Sequence, residues 1–137
     1  MNLIIFFDGN NDIRNVVGKY KQELNAEVYR IEPTEYIGFF EKLKNKPINI
    51  KRCNLNLLNY NNILIISPLW HNKIPSPVIR FLEQSTGRIK NVSYVLYNYN
   101  KEDHPEEFDK MDRILNLRRE KSYFVNVNRK EINVRVY

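Results

Sequence analysis

The chain has 137 residues, with 22 Lys and Arg against 16 Asp and Glu, and a net charge of +6 at neutral pH. This length suits a single domain over residues 1–137 that can bury a core without a disulfide or a metal. The lone Cys53 excludes an internal disulfide and any metal site that needs two cysteines. With no signal peptide and no apolar run long enough for a bilayer, we expect a cytoplasmic protein that has no membrane association and no bound metal.

Strands and helices are predicted to alternate along the chain. Runs of apolar residues predict the buried strands, and apolar residues at helical spacing predict the helices between them. In chain order the predictions are a strand over 3–7, a helix over 12–24, a strand over 27–31, a helix over 35–43, a strand over 62–67, a helix over 76–84, a strand over 92–97, a helix that starts within 103–107 and ends near 118, and strands over 122–127 and 131–136.

This alternation predicts the fold class. Strands separated by helices of this length are joined by right-handed crossovers, which gives a mainly parallel sheet covered on both faces. For five such strands we expect a three-layer, doubly wound α/β fold with the strand order 2-1-3-4-5. In that order, a ligand crevice lies beyond the carboxyl ends of the first and third strands.

The segment around the third strand carries the most informative pattern. Residues 58–84, "LNYNNILIISPLWHNKIPSPVIRFLEQ", combine an apolar strand, Ser-Pro, an aromatic loop and a helix entered through two prolines. This segment resembles the third strand and following loop of the flavodoxin family. Residues 28–47 and 90–100 also resemble flavodoxin-like proteins, so the similarity extends over most of residues 1–127.

The resemblance implies an FMN cofactor enclosed by the loops after strands 3 and 4. Trp70 would stack on the flavin ring, while Ser67, His71 and Asn72 would hydrogen-bond to its pyrimidine edge. The residues placed near the ring are Ser67, Pro68, Leu69, Trp70, His71, Asn72, Tyr97, Asn98 and Tyr99. Two simpler interpretations remain open: Trp70 packs the loop onto the next helix, and His71 is only a polar loop residue.

The loop after strand 1 departs from the family. Flavodoxins hold the phosphate there with a hydroxyl-rich loop at a helix start. The positions here are taken by Asp8, Gly9, Asn10, Asn11, Asp12 and Ile13, all but the glycine being candidate cofactor-binding residues. A carboxylate beside a phosphate repels it by about a kilocalorie per mole or more. Asp8 and Asp12 alternatively cap the first helix. A receiver-type magnesium site is excluded because strand 3 ends in Ser67 rather than aspartate.

Two further departures concern charge and the last element. Flavodoxins are usually acidic, whereas this chain is basic, but its basic residues are scattered, so we do not expect a nucleic-acid partner. Residues 131–136 predict a strand where the family has its closing helix. One sheet face would then be left without cover, and a homodimer formed through it is a hypothesis.

Two functions follow from these observations. The first is an FMN-binding protein in electron transfer, acting as a carrier for an unidentified redox partner or as a small FMN-dependent oxidoreductase. The second is a degenerate flavodoxin-like domain that has lost FMN and acts as a protein-interaction module. The loop after strand 3 favours the first function, and the altered phosphate loop favours the second.

Overall fold

The computed structural model describes residues 1–9, 13–98, 102–127 and 132–137. Its strands are β1 (Asn2–Phe6), β2 (Glu27–Arg30), β3 (Asn62–Pro68), β4 (Val92–Asn98), β5 (Ser122–Val127) and β6 (Ile132–Val136). Its α-helices are α1 (Arg14–Leu24), α2 (Phe39–Lys44), α3 (Ser76–Ser85) and α4 (Glu106–Leu115), and a short 3-10 helix covers Leu57–Asn59. Within the described part of the chain, no helix has the length and apolar character needed to cross a membrane.

The strands form one six-stranded sheet in the order β2-β1-β3-β4-β5-β6. All neighbours are parallel except β5 and β6, which are antiparallel. This confirms the predicted α/β fold, the order 2-1-3-4-5 and the extra C-terminal strand. Because the chain leaves β1 toward β2 and leaves β3 toward β4, the carboxyl ends of β1 and β3 border the crevice expected at a topological switch point.

One face of the sheet is packed against α3 and α4. Alternate strand residues such as Ile65 and Tyr94 point to this face, which follows from the two-residue repeat of a strand. The helices contribute Phe81 and Phe108, which are fully buried. The Phe108 ring lies 6.2 Å from the Tyr94 ring and 6.1 Å from the Phe124 ring, so this face forms a continuous aromatic and aliphatic core.

The other face is packed against α1. Val17 is buried there, and the Tyr20 ring lies 6.5 Å from that of Tyr123 on β5. The β6 end of this face is open: Val134 and Val136 of β6 pair with β5 residues that point to this side, and both valines are exposed. We call this face the open face. A groove of about 280 Å³ runs between α1 and β5.

The short helix after β2 differs from the prediction. It begins at Phe39 rather than at residue 35, because the backbone at Gly38 is extended. Of the apolar side chains in this region, only Ile37 is buried. The residues predicted to form a packed side are exposed, namely Tyr36, Phe39, Phe40 and Leu43. The last helix also ends earlier than expected, at Leu115, because Asn116 adopts a left-handed conformation.

Candidate functional site

The candidate site lies at the carboxyl ends of β1, β3 and β4. The last residues of β3, Ser67 and Pro68, are in register with Leu96 and Tyr97 of β4. Ser67 is fully buried, and its hydroxyl donates a hydrogen bond to the Pro68 carbonyl at 2.8 Å. The loops that follow these strands therefore start side by side at one edge of the sheet.

The loop after β3 is a tight two-residue hairpin. The Trp70 amide donates to the Lys73 carbonyl at 2.8 Å, and the Lys73 amide donates to the Trp70 carbonyl at 3.0 Å. His71 and Asn72 between them have positive φ angles of 48° and 68°, as the central residues of a type I′ turn do. The exposed His71 side chain consequently sits at the tip of a well-defined turn.

Hydrogen bonds join this hairpin to the end of β4. The Leu69 amide donates to the Tyr97 carbonyl at 3.2 Å, and the Asn98 side-chain amide donates to Asn72 Oδ1 at 3.4 Å. The Asn98 side chain is buried, whereas the Tyr97 ring packs among Val95 and Val125 on the α1 side of the sheet. The structure thus brings together the predicted residues from both loops, while Tyr99 lies outside the described residues.

Trp70 is directed into the protein. Its side chain is only 4% exposed, and its ring meets that of Phe7 edge-on, with centroids 5.4 Å apart and an angle of 67° between the planes. The indole Nε1 is buried without a hydrogen-bond partner among the described residues. Trp70 is thus a packing residue, but its ring contacts Phe7 after β1 rather than the next helix, which the simpler interpretation had named. Stacking on a flavin would require the ring to leave Phe7, so that role remains a prediction.

The loop after β1 is closely packed where it passes Trp70. Gly9 has a φ of 55°, and a Cβ at this position would lie 3.0 Å from both the Phe7 ring and Trp70 Nε1. Only glycine combines this backbone conformation with so close an approach. The three residues that follow, Asn10, Asn11 and Asp12, lie outside the described residues.

Asp8 does not cap α1, contrary to one of the sequence interpretations. Its carboxylate accepts two hydrogen bonds from the Arg30 guanidinium, at 3.0 and 3.2 Å, while the residue at the N-cap position is Ile13, which is buried. The parallel register explains the pairing, because Arg30 lies opposite Phe6 at the end of the neighbouring strand. The negative charge of Asp8, one of the two expected to repel a phosphate, is therefore compensated by a partner that the sequence interpretation did not identify.

The ion pair of Asp8 and Arg30 continues along the edge of β2. Glu32 lies 3.9 Å from Arg30 and 2.8 Å from Lys51. The hydrogen bond and positive charge of Lys51 lower the pKa of Glu32, so this carboxylate is ionised at neutral pH. Two acids and two bases alternate in this row, and their charges cancel.

Lys42 of α2 is the second residue that sequence reasoning missed. Its Nζ atom donates to the Gly9 carbonyl at 3.1 Å and lies 5.8 Å from the centre of the Trp70 ring. No local signal could have revealed this contact, since 33 residues separate Lys42 from Gly9. A lysine is thus held directly beside the loop after β1.

The rim offers two kinds of chemistry. The side-chain amides of Asn72 and Asn98 lie together at the hairpin, and amides suit the polar edge of a planar ring. A lysine and an arginine flank the loop at Gly9, where they suit an anionic group. The donor set fits a ligand with a polar ring at one end and a phosphate at the other, whereas the buried Trp70 offers no stacking face in this conformation. No group of three or more His, Cys, Asp or Glu side chains that could hold a metal occurs among the residues described.

Comparison with known proteins extends this description. No protein-family model and no curated protein matches the chain in sequence. A flavoprotein of Lactobacillus acidophilus in complex with FMN is similar in structure, with a TM-score of 0.76 at 16% identity over 90% of this chain and 91% of that one. A candidate flavoprotein of Bacteroides eggerthii gives 0.77 at 15% identity over 93% and 89% of the two chains. The apo-form of a Lactobacillus acidophilus flavoprotein gives 0.72 at 18% identity over 90% of each chain. The chain therefore has the flavodoxin-like α/β fold that these proteins share.

Proposed function

We propose that this protein binds FMN at the carboxyl ends of β1, β3 and β4 and takes part in electron transfer. The observation that carries the proposal is the similarity of fold, over nine-tenths of each chain, to a flavoprotein in complex with FMN. When bound, FMN supplies the capacity to accept and donate electrons. The protein holds and orients the ring and sets its surroundings.

The joined loops after β3 and β4 support the ring end of this site. Asn98 is tied to Asn72 across the two loops, so both amides are pre-positioned at one edge of the crevice. His71 adds a third polar side chain at the exposed tip. Trp70 joins the site by turning from Phe7 toward the ring, and the neutral indole then gains a stacking partner.

Titration of FMN with the purified protein tests this function. Bound FMN should lose fluorescence, and the emission of Trp70, the only tryptophan, should fall in parallel. FMN fluorescence that stays unchanged at micromolar protein would contradict the proposal. The same titration with riboflavin shows whether the ring alone is recognised.

A pair of asparagine variants locates the site on the sheet. Asn98→Ala at the carboxyl end of β4 should weaken FMN binding about tenfold or more, because it removes an amide at the rim and loosens the hairpin. Asn91→Ala is the matched control: Asn91 immediately precedes β4 at its opposite end and donates to the Asn61 carbonyl at 3.0 Å. Equal effects of the two substitutions would place the site elsewhere.

A domain that does not bind flavin is the second candidate function. Two observations favour it: the burial of Trp70 against Phe7, and the exposure of apolar residues of β6 on the open sheet face. The titration separates the two candidates, because an interaction module leaves both FMN and riboflavin unbound.

A further inference from the structure

Lys42 is held close to the loop after β1 and to Trp70 by two contacts. Its Nζ atom is 3.1 Å from the Gly9 carbonyl oxygen, and the group is partly buried. The ammonium group also lies over the Trp70 ring, at 5.8 Å from its centre. Both contacts are with uncharged groups, which satisfy the lysine only in part.

Lys42 stands outside the ion pairs described at this rim. Asp8 is paired with Arg30, and Glu32 is paired with Lys51, so those four charges cancel. Lys42 adds a positive charge beside Gly9 that these described acids do not neutralise. A partly desolvated cation that pairs with none of these described acids attracts an anion strongly.

The helix that carries Lys42 is fixed to the rest of the rim. Just past the end of α2, the Asn45 side chain donates to the Ile74 carbonyl at 2.9 Å and accepts from the Ser76 amide at 2.7 Å. The Ser76 hydroxyl donates to the Lys46 carbonyl at 2.5 Å. The end of α2 is therefore attached to the start of α3, directly after the Trp70 hairpin, and the position of Lys42 is coupled to that of the hairpin.

We propose that Lys42 binds the phosphate of FMN and so makes the protein prefer FMN to riboflavin. The ammonium group exchanges the Gly9 carbonyl for a phosphate oxygen, which is a stronger acceptor because it is charged. Arg30 keeps Asp8 neutralised, so the carboxylate next to Gly9 does not oppose the bound phosphate. A lysine from α2 thus takes over the role of the hydroxyls that the loop lacks. This inference rests on the proposed FMN-binding function.

Affinities of FMN and riboflavin, measured for the wild type and two lysine variants, test the inference. Lys42→Met should weaken FMN binding by roughly tenfold to a hundredfold, since a hydrogen bond to a charged group is lost, and should leave riboflavin binding unchanged. Lys44→Met is the matched control: Lys44 is exposed, and two residues along a helix place it on the opposite side. It removes the same net charge and should change neither affinity. Lys42→Arg should retain most of the preference for FMN.

The outcomes separate this inference from the function on which it rests. If the wild type binds FMN and riboflavin equally well, or if Lys42→Met weakens both ligands to the same extent, Lys42 does not bind the phosphate, although the protein still binds flavin. If the wild type binds neither ligand, the proposed function fails together with the inference. Melting temperatures of the variants show whether each is folded. If Lys42→Met does not fold, unchanged FMN affinity of Lys42→Gln would overturn the proposal.

Discussion

On one face of the sheet, α3 and α4 bury Phe81 and Phe108 completely, whereas on the other face Val136 remains 72% exposed next to the surface covered by α1. The strands are the same on both faces, and their alternating side chains supply apolar residues to each. The difference lies in how much helix covers them. Most of the stability should therefore come from the face packed against α3 and α4.

Apolar side chains should also contribute differently on the two faces. On the covered face, removing an apolar group leaves a cavity that the surrounding close-packed core fills only partly. On the open face, solvent reaches the edge of the cluster, so the same removal creates less cavity and costs less. Exposed apolar residues on that face instead remain available for association.

The largest effect on stability is expected at the centre of the covered face. Phe108→Ala should lower the free energy of unfolding by about 3–5 kcal/mol, because the ring is fully buried among Tyr94 and Phe124. Phe108→Leu keeps part of the volume and should lose less. Denaturation with urea measures both, and a loss below about 1 kcal/mol for Phe108→Ala would show that this face is not the main core.

A matched pair of valines compares the faces directly. Val78 on α3 is fully buried and Val17 on α1 nearly so. Each Val→Ala substitution removes two methyl groups, worth about 1.5 kcal/mol by transfer, and gains the same helix propensity. We expect the larger loss at Val78, where the cavity term adds to the transfer term. Equal losses in urea denaturation would mean that the α1 face is packed as tightly as the other.

The homodimer was expected through the uncovered sheet face, and the exposed valines of that face lie on the edge strand β6. The Tyr137 amide donates to the Ser122 carbonyl, and by alternation the backbone groups of Val134 and Val136 point away from β5 to the free edge. Antiparallel pairing of two β6 strands centred on Val134 would place Arg135 opposite Asn133, so no like charges meet. Arg135 is itself compensated by Asp103 at 2.8 Å. We therefore expect two copies to pair through β6.

Sedimentation measures this association. The wild type should have twice the mass of the chain, and Val136→Lys should return it to a monomer while changing the free energy of unfolding by less than about 0.5 kcal/mol. Val28→Lys, on the edge strand β2 at the other side of the sheet, is the control and should remain dimeric. A monomeric wild type would contradict the homodimer hypothesis.

The fold could be predicted from the sequence because it depends on patterns that are local. Apolar runs such as residues 63–66 and the apolar spacing of α1 and α4 are visible without the structure, and crossover handedness then limits the topology. The start of α2 could not be predicted, since it depends on the extended backbone at Gly38. The apolar pattern of the short helix α2 also does not reveal whether another part of the protein packs against that side of the helix.

The candidate site could be predicted in position but not in detail. The switch-point rule places Ser67, Asn72 and Asn98 at one edge of the sheet, and the structure brings them together. The switch-point rule does not determine which way the Trp70 ring turns, because a hairpin residue can face either the core or the crevice. The pairs of Asp8 with Arg30 and Lys42 with Gly9 join residues that are 22 and 33 positions apart, and such contacts exist only once the chain is folded.

The smallest difference between the faces is expected for the buried Tyr94 and the half-buried Tyr20. It should become measurable only at alkaline pH. Burial raises the pKa of Tyr94 on the covered face, helped by the Asp112 carboxylate, and burial also raises the pKa of Tyr20 on the open face. The folded protein holds both phenols neutral above pH 10, where the unfolded chain loses these protons, so stability present below pH 10 is lost as the pH rises further. Tyr94→Phe should make the fall in melting temperature between pH 9 and about 11.5 shallower, and Tyr20→Phe should do so less, because Tyr20 is nearer to solvent. Identical pH profiles for the two variants would mean that α1 shields its face as fully as α3 and α4 shield theirs.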